Sequence, residues 1–174
     1  DTSHRKKALA NAEIKDVEES ITVPVSQQFE VDTKLYQRDN IIRKLPNLMD
    51  GLVSSRRKVL YVAIKNGKKE IKVAGLASDT VKYASYHHGE VSIEQTIVKM
   101  AQGFPMSSYN LPLLTPYGNF GSRDQGYKNP GASRYIYVGL NDRLVNKLFR
   151  KEDTHILPYS SKEHEEPDYY APII

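Results

Sequence analysis

Residues 115–133 read TPYGNFGSRDQGYKNPGAS, with glycine at positions 118, 121, 126 and 131. Glycine readily enters left-handed backbone and allows tight reversals, so this run excludes a helix and favours a long hairpin loop. It leads into SRYIYVGL, where a period of two sends Ile136 and Val138 to one face of a strand and Tyr135 and Tyr137 to the other. One face is built for a core, and the other carries Arg134 directly beside Tyr135.

Three amphipathic segments precede this hairpin. Ser54 and Ser55 are good caps for a helix through RRKVLYVAIK, with Val59, Leu60, Ala63 and Ile64 apolar and Asn66-Gly67 as its end. A second helix covers Val73 to Tyr83, its stripe formed by Val73, Leu76, Ala77 and Val81 despite Gly75. In the third, Ser92 to Gln102, Ser92 and Gln95 read as a capping box, and Ile93, Ile97, Met100 and Ala101 repeat at helical spacing before Gly103. The short turn ASYHHGEVS makes the last two a helix-turn-helix. Helices followed by a Gly-rich hairpin and a strand describe an α+β, mainly α fold: a winged-helix (CAP-like helix-turn-helix) domain with a Gly-rich wing and short strands.

The flanks are less ordered in pattern. Residues 1–21 read as a polar linker or tail, with basic His4, Arg5, Lys6 and Lys7 followed by acidic Asp16, Glu18 and Glu19. After Pro24 a weakly helical stretch reaches Tyr36, and Asn40 can cap a short turn carrying Ile41, Ile42 and Leu45 that Pro46 stops. The winged-helix domain spans 22–150 and ends with NDRLVNKLF, a helix packing Leu144, Val145 and Leu148. Residues 151–174 read as an acidic connection, in which His155, His164, Glu163, Glu165 and Glu166 form a solvated tail without function.

Composition narrows the function classes. The chain has 174 residues, 39% hydrophobic and 26% charged, with a mean hydropathy of −0.56, values of an ordinary globular chain with one core. No apolar run approaches the ~20 residues that cross a bilayer, and the start DTSHRKKALANAE lacks a signal-peptide core, so an intracellular location away from any membrane is the expectation. Without cysteine there are no disulfides and no thiolate zinc site. A net charge of +4 and a pI near 9.1 permit a polyanionic partner. The missing initiator Met and the ending APII read as a piece of something longer.

Several residues can carry chemistry. Arg56, Arg57 and Lys58 sit in the opening turn of a helix, where the macrodipole disfavours cations; either an anion is meant to bind there or the face is simply basic and solvated. His87 and His88 could hydrogen-bond a phosphate or be ordinary exposed histidines. Arg123 and Lys128 place cations on the glycine-rich loop, where close backbone approach to a ligand is possible. Arg134 and Tyr135 are either surface decoration or a nucleophile with its anion clamp. No GxxxxGKS loop supports ATP binding, and no carboxylate set is suited to magnesium.

The stretches LPNLMDGLVSSRRKVLYVAIK, IKVAGLASDTVKYASYHHGEVSIEQTIVKMAQGF, LLTPYGNFGSRDQG, GASRYIYVGL and EPDYYAPII, in this order, resemble the DNA breakage-reunion region of type II DNA topoisomerases in their eukaryotic or large-virus form. The resemblance implies that Tyr135 is the nucleophile that joins a DNA 5′-phosphate and that Arg134 neutralises that phosphate. It implies Arg57 and His88 as phosphate-side catalytic helpers, and Arg56, Lys58, His87, Arg123 and Lys128 as DNA contacts. It further implies double-stranded DNA as partner, a homodimer for the full-length enzyme, and Mg2+ and ATP bound by domains absent from this chain, with no metal or cofactor in the fragment. Whether the fragment alone is a monomer stays open. The location it implies is the nucleus in a eukaryotic cell, or the host's cytoplasm or nucleus for a virus. Where the family usually has Lys-Pro-Gly-Gln, this chain has Val53, Ser54, Ser55 and Arg56; Gly103 replaces an Asn and Tyr169 a Trp. The alternative reading is a non-enzymatic winged-helix DNA-binding module, in which Tyr135 is incidental.

Overall fold

The computed structural model describes Ser3, Lys7, Thr22 and residues 24–67, 70–86, 89–103, 111–159 and 165–173. Most of the expected N-terminal tail, together with His87, His88, Glu163 and His164, lies outside the described residues. The chain divides into two compact units, Asp1–Pro46 and Asn47–Ile174, a boundary later than the one expected after residue 21.

In the first unit a helical turn (Val25–Gln27) and a π-helical stretch (Gln28–Asp32) run without a break into helix α1 (Thr33–Lys44). The expected separate turn at Asn40 does not form. Asn40 lies inside α1 and donates its side-chain amide to the carbonyl of Tyr36. The helix ends at Leu45, whose backbone is extended, as the residue before a proline must be to clear the ring.

The second unit begins with α2 (Ser54–Asn66), closed by Gly67 at φ +55, the left-handed cap that glycine adopts without a Cβ penalty. Neither serine side chain caps its start. Strand β1 (Ile71–Lys72) leads directly into α3 (Val73–Tyr83), which has the bounds its apolar stripe predicts, with Thr80 buried and Val81 only partly so. Helix α4 (Glu90–Ala101) starts two residues before Ser92, so the capping box is not formed; Gly89 occupies the cap position, and Ser92 lends its carbonyl to Thr96 Oγ1. The wing is the hairpin of β2 (Leu114–Tyr117) and β3 (Tyr137–Leu140), with β1 on the far edge of β3 to give the antiparallel order β1-β3-β2.

Leu52, Leu60, Leu76, Ile93, Ile97, Met100 and Val138 are fully buried and join the three helices to the sheet. Helix α5 (Asp142–Leu148) is capped by Asn141, whose Oδ1 accepts the N–H of Leu144, and a 3₁₀ turn (Lys151–His155) follows. Residues 165–173 are not a solvated tail. Tyr170 is buried with its ring 5.1 Å from that of Phe149, the N–H of Ile173 donates to Leu148, and Glu166 lies in the interior. Burial pushes the Tyr170 phenol well above the usual tyrosine range. Among the described residues no helix is long and apolar enough to cross a membrane.

Candidate functional site

Tyr135 lies in a turn immediately before β3, where the sequence places it in the strand itself. The alternation nevertheless holds: Ile136 is 3% exposed, and Tyr135 is 72% exposed. Ile136 anchors the turn beneath two glycines, since a Cβ at Gly118 or Gly131 would stand 3.3 or 3.0 Å from its Cγ2. Three hydrogen bonds close the turn. The N–H of Tyr135 donates to Ala132 at 2.8 Å, while Val73 and Ala74 at the start of α3 donate to Ile136 and Ser133 at 3.0 and 3.2 Å. The first N–H groups of a helix have no partner inside it, and here two of them hold the turn. Arg134 is exposed, with its guanidinium carbon 5.3 Å from the centre of the Tyr135 ring, within cation–π range.

The wing is stapled to α4. Gln102, buried at the end of that helix, donates its amide to the carbonyls of Phe120 and Tyr127 at 2.8 and 3.1 Å. Gly121 is required by its surroundings: its φ is +94, and a Cβ there would fall 2.9 Å from Tyr127 Cα. Asn129 Oδ1 accepts the N–H of Ser122, which folds the loop tip back. Arg123 and Lys128 are exposed on this loop. Between α4 and the wing runs a groove of about 610 Å³, lined among others by Gln95, Lys99, Tyr127, Lys128 and Ser133.

The basic start of α2 departs from expectation. Arg57 is buried, with Nε and Nη2 on the carboxylate of Asp50 at 2.8 and 3.0 Å and Nη2 also on the carbonyl of Leu52 at 2.9 Å. Lys58, expected to touch DNA, is buried too. Its Nζ sits 2.7 Å from Glu166 Oε1 and donates to the carbonyl of Ala84 at 2.6 Å, so the ammonium is directed into the protein. Two of the three cations at the wrong end of the helix are therefore balanced by internal carboxylates. Arg56 remains partly exposed.

The structure thus brings Arg134 and Tyr135 together and shows no hydrogen bond between Arg57 and Tyr135 among the described residues. Asp50, Glu166 and Gln102 are the supporting side chains that sequence reasoning missed. A cation cluster without nearby partners was the available signal for the first two. Among the described residues no three His, Asp or Glu side chains converge.

A winged helix with an exposed tyrosine on an anchored turn beside an arginine defines a class, and comparison with known proteins gives its family. The DNA gyrase/topoisomerase IV family, in its A-subunit branch, matches residues 43–174. DNA topoisomerase 2 of African swine fever virus (isolate Tick/Malawi/Lil 20-1/1983) is 35% identical over 171 residues, covering 95% of this chain and 14% of the viral protein. Human DNA topoisomerase 2-alpha is 42% identical over 143 residues, covering 80% of this chain and 9% of the human protein. The crystal structure of the Plasmodium falciparum topoisomerase II DNA-binding, cleavage and re-ligation domain superposes with a TM-score of 0.82 at 37% identity, covering 99% of this chain and 24% of that one. The chain belongs to the type II DNA topoisomerases and corresponds to part of their breakage-reunion domain. It spans only a small fraction of the length of these relatives.

Proposed function

We propose that this chain is the tyrosine-bearing part of a type II DNA topoisomerase, and that Tyr135 cuts and reseals duplex DNA. The observation that carries the reading is the exposed Tyr135 on a hydrogen-bonded turn with the Arg134 guanidinium over its ring. Tyr135 Oη attacks the phosphorus of a DNA phosphodiester, forming an O–P bond to the 5′-phosphate as the P–O3′ bond breaks. The phenolic proton passes to a base, and the departing 3′-oxygen takes up a proton. One phosphate ester replaces another, so the bond energy is kept and the reverse reaction reseals the strand.

A phenol is almost wholly protonated near neutral pH, and attack on an anionic diester needs charge neutralised. Arg134 supplies a charge that does not titrate away. Arg57 and His88 are the further phosphate-side helpers in this reading, and Arg56, His87, Arg123 and Lys128 the DNA contacts. One tyrosine breaks one strand, so a double-strand break calls for two copies, as a homodimer provides. Magnesium and ATP are assigned to other domains of the full-length protein, and no step above runs through either. The site of action is intracellular, wherever the DNA is. The non-enzymatic alternative draws no support from relatives that are named topoisomerases.

The test is the covalent adduct. In the full-length protein, Tyr135→Phe removes one oxygen and keeps the ring, so DNA binding persists while the adduct trapped under denaturing conditions disappears. Tyr137→Phe is the control: Tyr137 lies in β3 rather than in the turn, is only 37% exposed, and has Lys72 rather than Arg134 near its ring, with Nζ 5.9 Å from the ring centre. An adduct on Tyr137, or a normal adduct in Tyr135→Phe, would overturn the assignment.

A further inference from the structure

Asp50 is a carboxylate wholly withdrawn from solvent. Its side chain is 0% exposed and accepts four hydrogen bonds. Oδ1 takes the N–H of Leu52 at 2.8 Å and Arg57 Nη2 at 3.0 Å; Oδ2 takes Arg57 Nε at 2.8 Å and the N–H of Tyr170 at 3.0 Å. An ionised carboxylate offers about four lone-pair sites, so this one is saturated. The two-point contact with Arg57 is the bidentate geometry that fixes a guanidinium in plane as well as in place. Arg57 Nη2 is spent on Asp50 and Leu52, and Nη1 makes no hydrogen bond among the described residues.

We propose that Asp50 is a positioning residue for Arg57: its buried carboxylate locks the Nε–Nη2 edge of the guanidinium and thereby keeps Nη1 as the nitrogen that meets the DNA phosphate. This rests on the reading of Arg57 as a phosphate-side helper. The carboxylate also ties down Tyr170, so residues 165–173 brace the same side chain from behind. Arg57 reaches the phosphate with a fixed edge, and little ordering is left for the moment of reaction.

Asp50→Asn tests this with almost no change of size. Whichever way the amide turns, its NH₂ faces two donors, Leu52 N–H and Arg57 Nη2 or Arg57 Nε and Tyr170 N–H, so two of the four bonds are lost. The measurement is single-turnover adduct formation by the full-length protein on a defined duplex, for Asp50→Asn, Arg57→Gln and the two combined, with melting curves alongside. Each single variant should slow adduct formation by roughly tenfold to a hundredfold, the loss expected for a hydrogen bond to a charged group. The double variant should be no slower than Arg57→Gln, because Asp50 acts through Arg57.

A purely structural carboxylate would give an additive rate loss or a lowered melting temperature without a rate change, and either result overturns the proposal. If Asp50→Asn does not fold, Asp50→Glu keeps the charge but displaces it by one methylene, and the same non-additivity with Arg57→Gln is required of it. Adduct formation by Arg57→Gln at the wild-type rate would remove both Arg57 and Asp50 from the chemistry while leaving the Tyr135 assignment intact. That assignment fails separately, through linkage at another residue.

Discussion

Glu166→Gln should be among the most damaging substitutions far from Tyr135. Lys58 and Glu166 are each 6% exposed in their side chains, with Nζ and Oε1 2.7 Å apart. The ammonium has in addition the Ala84 carbonyl, and Glu166 Oε2 has no hydrogen-bond partner among the described residues. Glutamine keeps the shape but removes the charge that balances Lys58, and a buried ion stripped of its partner costs about 3 to 5 kcal/mol. That is a large share of the roughly 5 to 15 kcal/mol by which a domain is stable. For a chain of this size it lowers the melting temperature on the order of 10 °C. Urea unfolding of the 174-residue chain followed by circular dichroism reads the loss directly. The double variant Lys58→Met, Glu166→Leu removes both charges and should recover most of the stability, because well-packed apolar side chains commonly match a buried pair. A Glu166→Gln loss within about 0.5 kcal/mol, the usual range of surface changes, would show that the pair is solvated and that Lys58 is free to meet DNA.

Gly121→Ala should cost about 1 to 3 kcal/mol, since φ is +94 and the new Cβ would fall 2.9 Å from Tyr127 Cα; Gly126→Ala, with φ +58 and open space around it, should cost less, which unfolding of the two variants decides. Gln102→Ala leaves the carbonyls of Phe120 and Tyr127 without their donor, and amide hydrogen exchange in residues 118–131 should accelerate while that in α3 does not. DNA binding should weaken with salt, and removing Arg123 and Lys128 together should reduce the slope of log K against log salt by roughly 1.8, about 0.9 per lost phosphate contact. The Lys58→Met, Glu166→Leu double variant should leave that slope unchanged, because Lys58 points inward.

What was legible in the sequence depended on range. The bounds of α3 follow from a stripe of Val73, Leu76 and Ala77 that recurs within one helix, and Gly67 ends α2 for a reason internal to its own φ. The exposure of Tyr135 against Ile136 follows from alternation alone. Cap assignments failed where a serine had a competing local geometry, as at Ser92, which α4 absorbs by starting at Glu90. The partners of Arg57 and Lys58 were hidden for a different reason. Asp50 precedes Arg57 by seven residues across a loop, and Glu166 belongs to a run of acids that looks like a solvated tail. Only closure of the chain around Phe149 and Tyr170 carries Glu166 to the start of α2.

The cations on the wing and at the start of α2 are thereby handled in two opposite ways. Arg134, Arg123 and Lys128 stay exposed, where a phosphate can reach them and where salt screens them. Arg57 and Lys58 are withdrawn from solvent and held by carboxylates, so their charges are spent mainly on geometry. Arg57 keeps one edge outside its carboxylate pairing, whereas Lys58, with a single nitrogen already in contact with Glu166 and Ala84, does not. An arginine and a lysine side by side at the start of one helix therefore serve different ends. The planar guanidinium can be fixed at one edge and still present the other, which a point-charge ammonium cannot do. Arg57→Lys should accordingly fail to replace Arg57 in adduct formation even though the charge is kept, and an adduct rate equal to wild type would remove the geometric argument for Asp50 as well.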